Sequence, residues 1–180
     1  TLESRGLGDV YKRQDPTRPL FNRAFMGLYP PASAIKPLLT IFALNNEYTN
    51  WTETILDDGF FRFEEEERVF NAWREGGHGL TDLEKALVES SNPFFMNLSI
   101  RYEKDLFVEF LKSSSFGSKL CDDCYPHQFS PLINDDWKYK NFGKELYKGD
   151  FINLGVGQGY MLTTPLHLAL ISAILANRGE

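Results

Sequence analysis

Proline marks the starts of two helices in this sequence and limits how the chain can fold. Pro93 follows Asn92 and Pro165 follows Thr164, so a polar residue precedes proline at both places. Proline suits the first turn of a helix, where its missing N–H is not needed, and Asn or Thr can cap the exposed amides. We therefore predict helices that begin near these prolines, with Asn92 capping the first and the second running to Asn177.

Apolar spacing and capping signals predict three further helices. The first begins near Ser33, because apolar residues recur at helical spacing as far as Phe42. A capping box that starts at Thr81 predicts a helix from Asp82, and a third helix is expected over residues 103–112.

The remaining segments predict few strands. Aromatic and acidic residues around Asp58-Gly59, within residues 50–71, indicate a short hairpin, and the acidic run 64–67 is interpreted as a solvated loop. Residues 76–79 are read as a flexible connection, and residues 113–150 as loops with short elements. Helices therefore outnumber strands, as in a helix-rich α+β fold.

Composition excludes some classes of function. The chain has 180 residues, 42% of them hydrophobic, with 15 Phe, so a sizeable core is possible. Its net charge of −6 argues against a nucleic-acid partner, because phosphate binding needs clustered Lys and Arg. The sequence contains no run of 18 or more apolar residues, so we expect any membrane attachment to use an anchor outside this segment.

The two cysteines, Cys121 and Cys124, form an isolated C-x-x-C pair. Such a pair can be a redox centre, half of a zinc site or a local disulfide. No second pair completes a metal site, and the surrounding residues are typical of a loop. We favour a pair without a role in the chemistry, oxidised in an extracytoplasmic compartment.

The first residues differ in character from the rest. Asp9-Val10-Tyr11-Lys12-Arg13-Gln14 matches the translation of a transposon end used in sequencing libraries. We expect residues 1–14 to be a sequencing-adapter artefact and residues 15–180 to be a partial domain. The alternative is a natural polar tail.

Ser33 and Lys36 form an S-x-x-K motif at a predicted helix start. Positions three apart share a helix face, so the spacing predicts the Lys36 amine beside the Ser33 hydroxyl. A serine needs a base to become a good nucleophile, and a neutral lysine can be that base. Alone, the motif also occurs by chance.

Ser90 and Asn92 form an S-x-N motif at a predicted break between two helices. A break of this kind can point both side chains into a cleft. Capping alone would also explain these residue types.

Together the two motifs resemble the penicillin-recognising serine enzymes, and their flanks resemble class B penicillin-binding proteins, most closely the elongation-type penicillin-binding protein 2. The resemblance covers residues 15–180. The matching segments are Asn22-Arg23-Ala24, Tyr29-Pro30-Pro31-Ala32-Ser33-Ala34-Ile35-Lys36-Pro37, Trp73-Arg74-Glu75-Gly76-Gly77-His78-Gly79, Tyr147-Lys148-Gly149-Asp150, Asn153-Leu154-Gly155-Val156-Gly157-Gln158-Gly159-Tyr160 and Thr164-Pro165-Leu166.

The resemblance implies an α/β sandwich of the transpeptidase and serine β-lactamase type, of which this chain would be the helix-rich N-terminal part. It implies a D-Ala-D-Ala transpeptidase that uses no cofactor. Ser33 would be the nucleophile, Lys36 its base and Ser90 a proton carrier. The substrate-binding residues would be Asn92, Gly157, Gln158 and Gly159.

The same resemblance implies substrates, partners and a location. Stem peptides and β-lactams would be the ligands, and wall-elongation proteins, including a glycosyltransferase, the partners. The enzyme would act at the periplasmic face of the inner membrane.

Some positions depart from the family pattern. Ala32 and Ala34 replace the usual Gly and Thr beside the nucleophile. The third family motif, K-T-G on a strand that completes the oxyanion hole, is expected beyond residue 180, so residues 15–180 alone are expected to be inactive.

Some elongation-type members hold zinc with two Asp, a His and a Cys. Asp57 and His78 match two of these ligands, but Ala72 and Ser91 stand at the other two positions. Two ligands rarely hold structural zinc. We therefore predict no metal and interpret His78 as a hydrogen-bonded structural residue.

Alternative functions stay open from sequence. They are a division-type transpeptidase, a serine β-lactamase, and a non-catalytic β-lactam sensor or scaffold. Residues 155–159 are glycine-rich but lack the context of a phosphate loop. Close backbone packing beside the active-site cleft is the better interpretation of these glycines.

Overall fold

The computed structural model describes residue 12, residues 14–121, residue 123 and residues 128–179. The predicted adapter segment, residues 1–14, lies outside these residues except at positions 12 and 14. The helices are α1 Arg23–Met26, α2 Lys36–Asn45, α3 Leu83–Val88, α4 Asn92–Ser99, α5 Lys104–Ser113, α6 Asp135–Phe142, α7 Lys148–Leu154 and α8 Pro165–Ala176. The strands are β1 Ile55–Asp57, β2 Phe60–Phe63, β3 Arg68–Asn71 and β4 Gly79–Thr81, and two 3-10 turns cover Ala32–Ile35 and Glu64–Glu66.

Helix α4 lies at the centre of the packing and contacts α3, α7, β1 and β2. Its residues Phe94, Phe95 and Leu98 are fully buried. Next to it, an aromatic cluster joins α2 to α5 and α7. The Phe42 ring lies 5.5 Å from that of Phe107, whose centroid is 5.4 Å from that of Phe151. The abundant phenylalanine thus forms the core that the composition allows, and the predicted helix-rich α+β fold is confirmed.

The predicted hairpin within residues 50–71 is present as β2 and β3, but the prediction that it turns at Asp58-Gly59 is wrong. Strand β1 pairs antiparallel with β4, and β2 pairs antiparallel with β3, so the turn after β1 joins two different sheets. The hairpin turn is the acidic run, residues 64–67, which is a surface loop as predicted. The physical reason is close packing at Gly59, where a Cβ atom would lie 2.8 Å from the Gly77 backbone nitrogen.

Within the glycine-rich residues 76–79, predicted to be a flexible connection, Gly77 is tightly packed, whereas Gly76 and Gly79 face open space. A Cβ atom on Gly77 would lie 2.1 Å from the Asp57 carbonyl oxygen, and Gly77 has φ +67°. The His78 amide donates a 3.0 Å hydrogen bond to the same carbonyl. Glycine is required here because the backbones approach too closely for a side chain.

Residues 113–150 contain helix α6 and the start of α7, which the sequence prediction missed. The Asn134 side chain accepts a 2.8 Å hydrogen bond from the Trp137 amide, and Gly143 ends α6 with φ +69°. These are ordinary capping signals. The sequence prediction missed helix α6 because this helix is polar and shows no apolar periodicity.

Helix α6 fixes α7 and the segment that follows it. The buried Lys138 amine forms an ion pair with the Asp150 carboxylate of α7. The same amine lies 4.6 Å from the centroid of the Tyr147 ring and 5.2 Å from that of Tyr160. A charge buried in this way is tolerated only because it is paired.

At helices α8 and α3, the local signals in the sequence predict the starts that the structure shows to within one residue. Helix α8 begins at Pro165, and the Thr164 hydroxyl accepts from the His167 amide. Helix α3 is capped by Asp82, which accepts a 2.9 Å hydrogen bond from the Lys85 amide, instead of by Thr81. No helix among the described residues combines the length and apolar character needed to cross a membrane.

Candidate active site

Ser33 and Lys36 lie at the junction of the 3-10 turn and helix α2. Ser33 is exposed, whereas Lys36, the first residue of α2, is only 2% exposed. The Lys36 amide donates to the Ser33 carbonyl, so the turn leads directly into the helix. The sequence therefore places a solvent-facing hydroxyl and a buried amine within one turn of each other.

The Lys36 amine is held by the segment between α3 and α4. Its Nζ donates to the Ser90 carbonyl at 2.9 Å, to Ser90 Oγ at 3.1 Å and to Asn92 Oδ1 at 2.8 Å. Ser90 Oγ in turn donates to Ser33 Oγ at 2.8 Å. The structure thus brings the four predicted side chains together. Ser90 lies between Ser33 and Lys36, although the S-x-x-K spacing alone predicts direct contact between those two.

Burial lowers the pKa of Lys36 to about 8, although the negative charge of Asp57 acts in the opposite direction. The Phe95 ring lies beside the amine, with Nζ 5.1 Å from its centroid. Removal from water disfavours the ammonium form. A substantial neutral fraction near pH 8 follows, and only neutral amine can accept a proton.

Two residues of the site adopt the left-handed conformation that glycine favours. Ala32 has φ +48° and Ser90 has φ +56°. Each such residue costs of order 1–3 kcal/mol and persists only because the surrounding structure imposes the conformation. Ala32 directly precedes Ser33, and Ser90 carries the second hydroxyl of the site. The fold therefore gives up stability to orient both hydroxyls.

The segment that contains Gly157, Gln158 and Gly159 lies beside the turn that carries Ser33. The Ala32 amide donates a 2.8 Å hydrogen bond to the Gly157 carbonyl. A Cβ atom on Gly157 would lie 2.2 Å from the Ala32 carbonyl oxygen. Gln158 and Gly159 are exposed. The close backbone packing that the sequence predicts is therefore present at Gly157.

Asn92 does not cap helix α4, contrary to the sequence prediction. Ser91 is the cap, and its Oγ accepts a 3.2 Å hydrogen bond from the Phe94 amide. Pro93 is then the second residue of the helix. Because Ser91 satisfies this amide, the Asn92 side chain is free to bind Lys36.

A buried cluster of Asp57, His78 and Ser91 lies behind the S-x-N segment. Asp57 Oδ2 accepts from Ser91 Oγ at 2.5 Å and lies 2.7 Å from His78 Nδ1. The sequence interpretation of His78 as a hydrogen-bonded structural residue agrees with this contact, but sequence analysis did not predict that Asp57 and Ser91 are its neighbours. The Ser91 hydroxyl and Ala72 stand at the two positions where a zinc site would need further ligands. The residues present therefore do not fit a zinc site.

Cys121 is disulfide-bonded, in agreement with an oxidised pair, and Cys124 lies outside the described residues.

An exposed serine connected through a second hydroxyl to a buried lysine is typical of serine-dependent acyl-transfer enzymes. The protein-family model for the penicillin binding protein transpeptidase domain matches residues 2–180, so the chain belongs to this family.

Known relatives agree with this membership. Peptidoglycan D,D-transpeptidase MrdA of Haemophilus influenzae is 34% identical over 172 residues, which are 94% of this chain and 26% of the relative. PBP2 of Pseudomonas aeruginosa, solved in complex with WCK 5153, superimposes with a TM-score of 0.89 at 32% identity, over 96% of this chain and 38% of that one.

PBP2 of Helicobacter pylori, solved in a complex with MreC, superimposes with a TM-score of 0.85 at 28% identity, over 94% of this chain and 32% of that one. The chain thus spans about a quarter of the length of the curated relatives that it matches.

Proposed function

We propose that this chain carries the nucleophile of a peptidoglycan D,D-transpeptidase that cross-links stem peptides through an acyl-enzyme on Ser33. The observation that carries the proposal is the hydrogen-bond chain from Ser33 through Ser90 to Lys36. It supplies a nucleophile, a proton carrier and a base within contact distance. General base activation is what a serine hydroxyl requires to attack an amide.

In the acylation step, Ser33 Oγ attacks the carbonyl between the two terminal D-alanines of a stem peptide. The Ser33 proton passes to Ser90 Oγ while the Ser90 proton passes to neutral Lys36. The C–N bond then breaks, and the leaving D-alanine amine takes a proton back along the same route. Each transfer crosses one of the short contacts between these side chains.

In the second step, an amine from a neighbouring strand attacks the ester carbonyl on Ser33, the C–O bond to Ser33 breaks and the cross-link forms. Ser90 and Lys36 take the proton from the attacking amine and return it to Ser33 Oγ. Water as acceptor would give carboxypeptidase activity. A β-lactam would acylate Ser33 and remain attached.

Asn92 and the segment beside the turn are proposed to bind the substrate. Asn92 Oδ1 already binds Lys36, so its amide nitrogen is available for a substrate carbonyl. Gly157 lies against the turn, and Gln158 and Gly159 are exposed beside it, where they can line the peptide path. Residues 15–180 by themselves are expected to be inactive, because the resemblance places part of the oxyanion hole outside them.

We further propose a role in wall elongation and cell shape, at the periplasmic face of the inner membrane. This is supported by the identity to MrdA of Haemophilus influenzae. The Helicobacter pylori relative was solved with MreC, which favours a similar partner for this protein. A glycosyltransferase is a further proposed partner, from the family resemblance alone. A division-type role is the alternative.

The proposal is tested with a fluorescent penicillin on a chain that has the full length of its relatives. Covalent label should appear on Ser33, persist for many minutes and vanish in Ser33→Ala. The matched control is Ser113→Ala, which removes an exposed hydroxyl that only contacts its own helix. Label that survives Ser33→Ala contradicts the assignment.

The same assay separates the other functions. Rapid loss of label with release of hydrolysed penicillin would identify a β-lactamase. Stable label without any cross-linking of stem peptides would identify a sensor or scaffold.

A further inference from the structure

The segment with Ser90 and Asn92 rests on a buried carboxylate that the proposed chemistry does not use. Asp57, at the end of β1, is completely buried. Its Oδ1 accepts from the Gly59 amide at 2.9 Å, and its Oδ2 accepts from Ser91 Oγ at 2.5 Å. Buried carboxylates are costly unless they are fully hydrogen-bonded, as this one is.

Ser91 transmits this anchoring to the site. Its hydroxyl donates to Asp57 and accepts from the Phe94 amide, so it is fixed from two sides. The neighbours on either side of Ser91 are Ser90 and Asn92, which hold the Lys36 amine. Because Ser90 is in a left-handed conformation, a firm attachment at Ser91 is needed to keep it there.

His78 completes the cluster and keeps Asp57 ionised. His78 Nδ1 lies 2.7 Å from Asp57 Oδ2, where an N–H of the ring donates a hydrogen bond to the carboxylate. Burial works to raise the pKa of Asp57, but hydrogen bonds from Ser91, His78 and the Gly59 amide outweigh it, so the pKa stays below its ordinary value. The carboxylate is therefore a fixed negative charge.

This charge is directed at the proposed base. The groups packed around the Lys36 amine are the neutral side chains of Ser90, Asn92 and Phe95 and, behind them, the Asp57 carboxylate. The next charges beyond the cluster neutralise each other. They are Glu89, whose Oε2 lies 3.7 Å from His78 Nε2, and Arg74, which pairs with Glu89 at 2.7 Å.

We propose that Asp57, acting through Ser91, is a positioning residue that holds the Ser90–Asn92 segment on Lys36 and sets the charge that this amine faces. The inference rests on the proposed function, because it assigns Asp57 a part in activating the same nucleophile. It separates two effects: the hydrogen bond to Ser91 fixes geometry, and the negative charge sets the pH at which Lys36 becomes neutral.

The test is the pH dependence of acylation by labelled penicillin in the full-length protein. Asp57→Asn keeps the shape and an acceptor for Ser91 but removes the charge, so the midpoint of the profile should move to lower pH. Ser91→Ala removes the hydrogen bond and keeps the charge, so the plateau rate should fall about 10–100-fold, the usual cost of a small misplacement, at an unchanged midpoint.

The matched control is Asp82→Asn, the same substitution at the cap of helix α3. Asp82 accepts from the Lys85 amide and touches neither Ser91 nor Lys36. This variant should change neither the plateau nor the midpoint. A midpoint that is the same in Asp57→Asn as in the unsubstituted protein would overturn the inference, whatever the effect on stability.

Two further outcomes are distinguishable. If the unsubstituted protein forms no acyl-enzyme on Ser33, the proposed function fails and this inference fails with it. If Asp57→Asn does not fold, Ser91→Ala and Ser91→Thr decide the matter, because Thr keeps the hydroxyl. Recovery of the plateau rate in the Thr variant supports the positioning role, and equal loss in both variants contradicts it.

Discussion

Ser90 Oγ lies 2.8 Å from Ser33 Oγ and donates its proton to it, while on its other side it accepts from Lys36 Nζ at 3.1 Å. In this arrangement the charged form of Lys36 orients the Ser90 hydroxyl toward Ser33. When Lys36 becomes neutral, both hydroxyl protons can shift one place toward the amine. One serine therefore connects the exposed Ser33 hydroxyl, the proposed nucleophile, to the buried Lys36 amine, the proposed base.

This position predicts the effect of removing the connecting hydroxyl. Ser90→Ala should lower the rate of acylation by labelled penicillin by about 10²–10⁴-fold, the usual contribution of a positioned acid–base group. Ser99→Ala is a suitable control, because its buried hydroxyl donates its hydrogen bond to the Met96 carbonyl of its own helix and to none of the four site residues. Stopped-flow measurement that finds less than a few-fold change in Ser90→Ala would show that the proton takes another route.

The lowered pKa of Lys36 predicts the pH profile of the unsubstituted enzyme. With a pKa of about 8, roughly one Lys36 side chain in ten is neutral at pH 7, compared with about one in 2,500 for free lysine. Because the neutral amine is the active form, acylation should rise about tenfold per pH unit below this pKa and level off above it. A rate that is flat between pH 6 and pH 9 would contradict this role for Lys36.

Substitution of the base provides a second check. Lys36→Arg should lose nearly as much activity as Lys36→Ala, because a guanidinium keeps its proton at any pH of interest. Lys112→Arg, on helix α5 away from the site, should acylate normally. Near-normal labelling of Lys36→Arg would mean that the residue supplies only positive charge.

Much of the site was predictable because its signals are local. The S-x-x-K spacing and the proline-marked helix starts depend on residues within one or two turns of each other, so they predicted where Ser33, Lys36 and helix α8 lie. The family resemblance paired Ser33 with Ser90, which are far apart in the chain. Local periodicity contains no information of that kind.

The errors arose where distant backbone packing decides between local options. Asp58-Gly59 is a good hairpin turn by composition, but β1 pairs with β4 because Gly77 packs on Gly59. Either Ser91 or Asn92 could cap helix α4 by residue type. Ser91 is the cap because Asp57 holds the Ser91 side chain and Lys36 holds the Asn92 side chain. Neither contact can be inferred from adjacent residues.

The contact between Gly157 and the turn that carries Ser33 predicts a sensitive position. In Gly157→Ala the new Cβ would meet the Ala32 carbonyl oxygen at 2.2 Å, so the turn must shift. Displacement of a reacting group by about 1 Å can cost 10²-fold in rate. Acylation should therefore fall by about this factor even at temperatures where the variant is folded.

Gly143→Ala is the matched control for this substitution. Gly143 has nearly the same φ, +69°, but no atom lies within 4 Å of the position that a Cβ would take there. The alanine variant should lose about 1–2 kcal/mol of stability from backbone strain and keep its acylation rate. Equal acylation rates in the two variants would show that strain, rather than contact with Ala32, governs position 157.

A buried histidine connects helix α8 to two loops. His167 Nδ1 lies 2.6 Å from Ser130 Oγ, and Nε2 lies 2.7 Å from the Ser114 carbonyl oxygen. In the neutral ring, Nε2–H donates to Ser114 and Nδ1 accepts from Ser130. Burial lowers the pKa of His167 despite the opposing effect of the Ser114 carbonyl.

This environment predicts that the protein loses stability in mild acid. The pKa of His167 is lower in the folded state than its unfolded value of about 6.5. Its contribution is therefore complete above about pH 6.5 and is lost as the pH falls through the folded-state pKa, with a slope of at most about 1.4 kcal/mol per pH unit. His167→Gln should be less stable at pH 8 but should show a shallower decline between pH 7 and pH 5. Denaturant unfolding at several pH values measures how the free energy of unfolding depends on pH in each protein. Parallel slopes for the unsubstituted protein and His167→Gln would show that acid destabilises the fold through other groups.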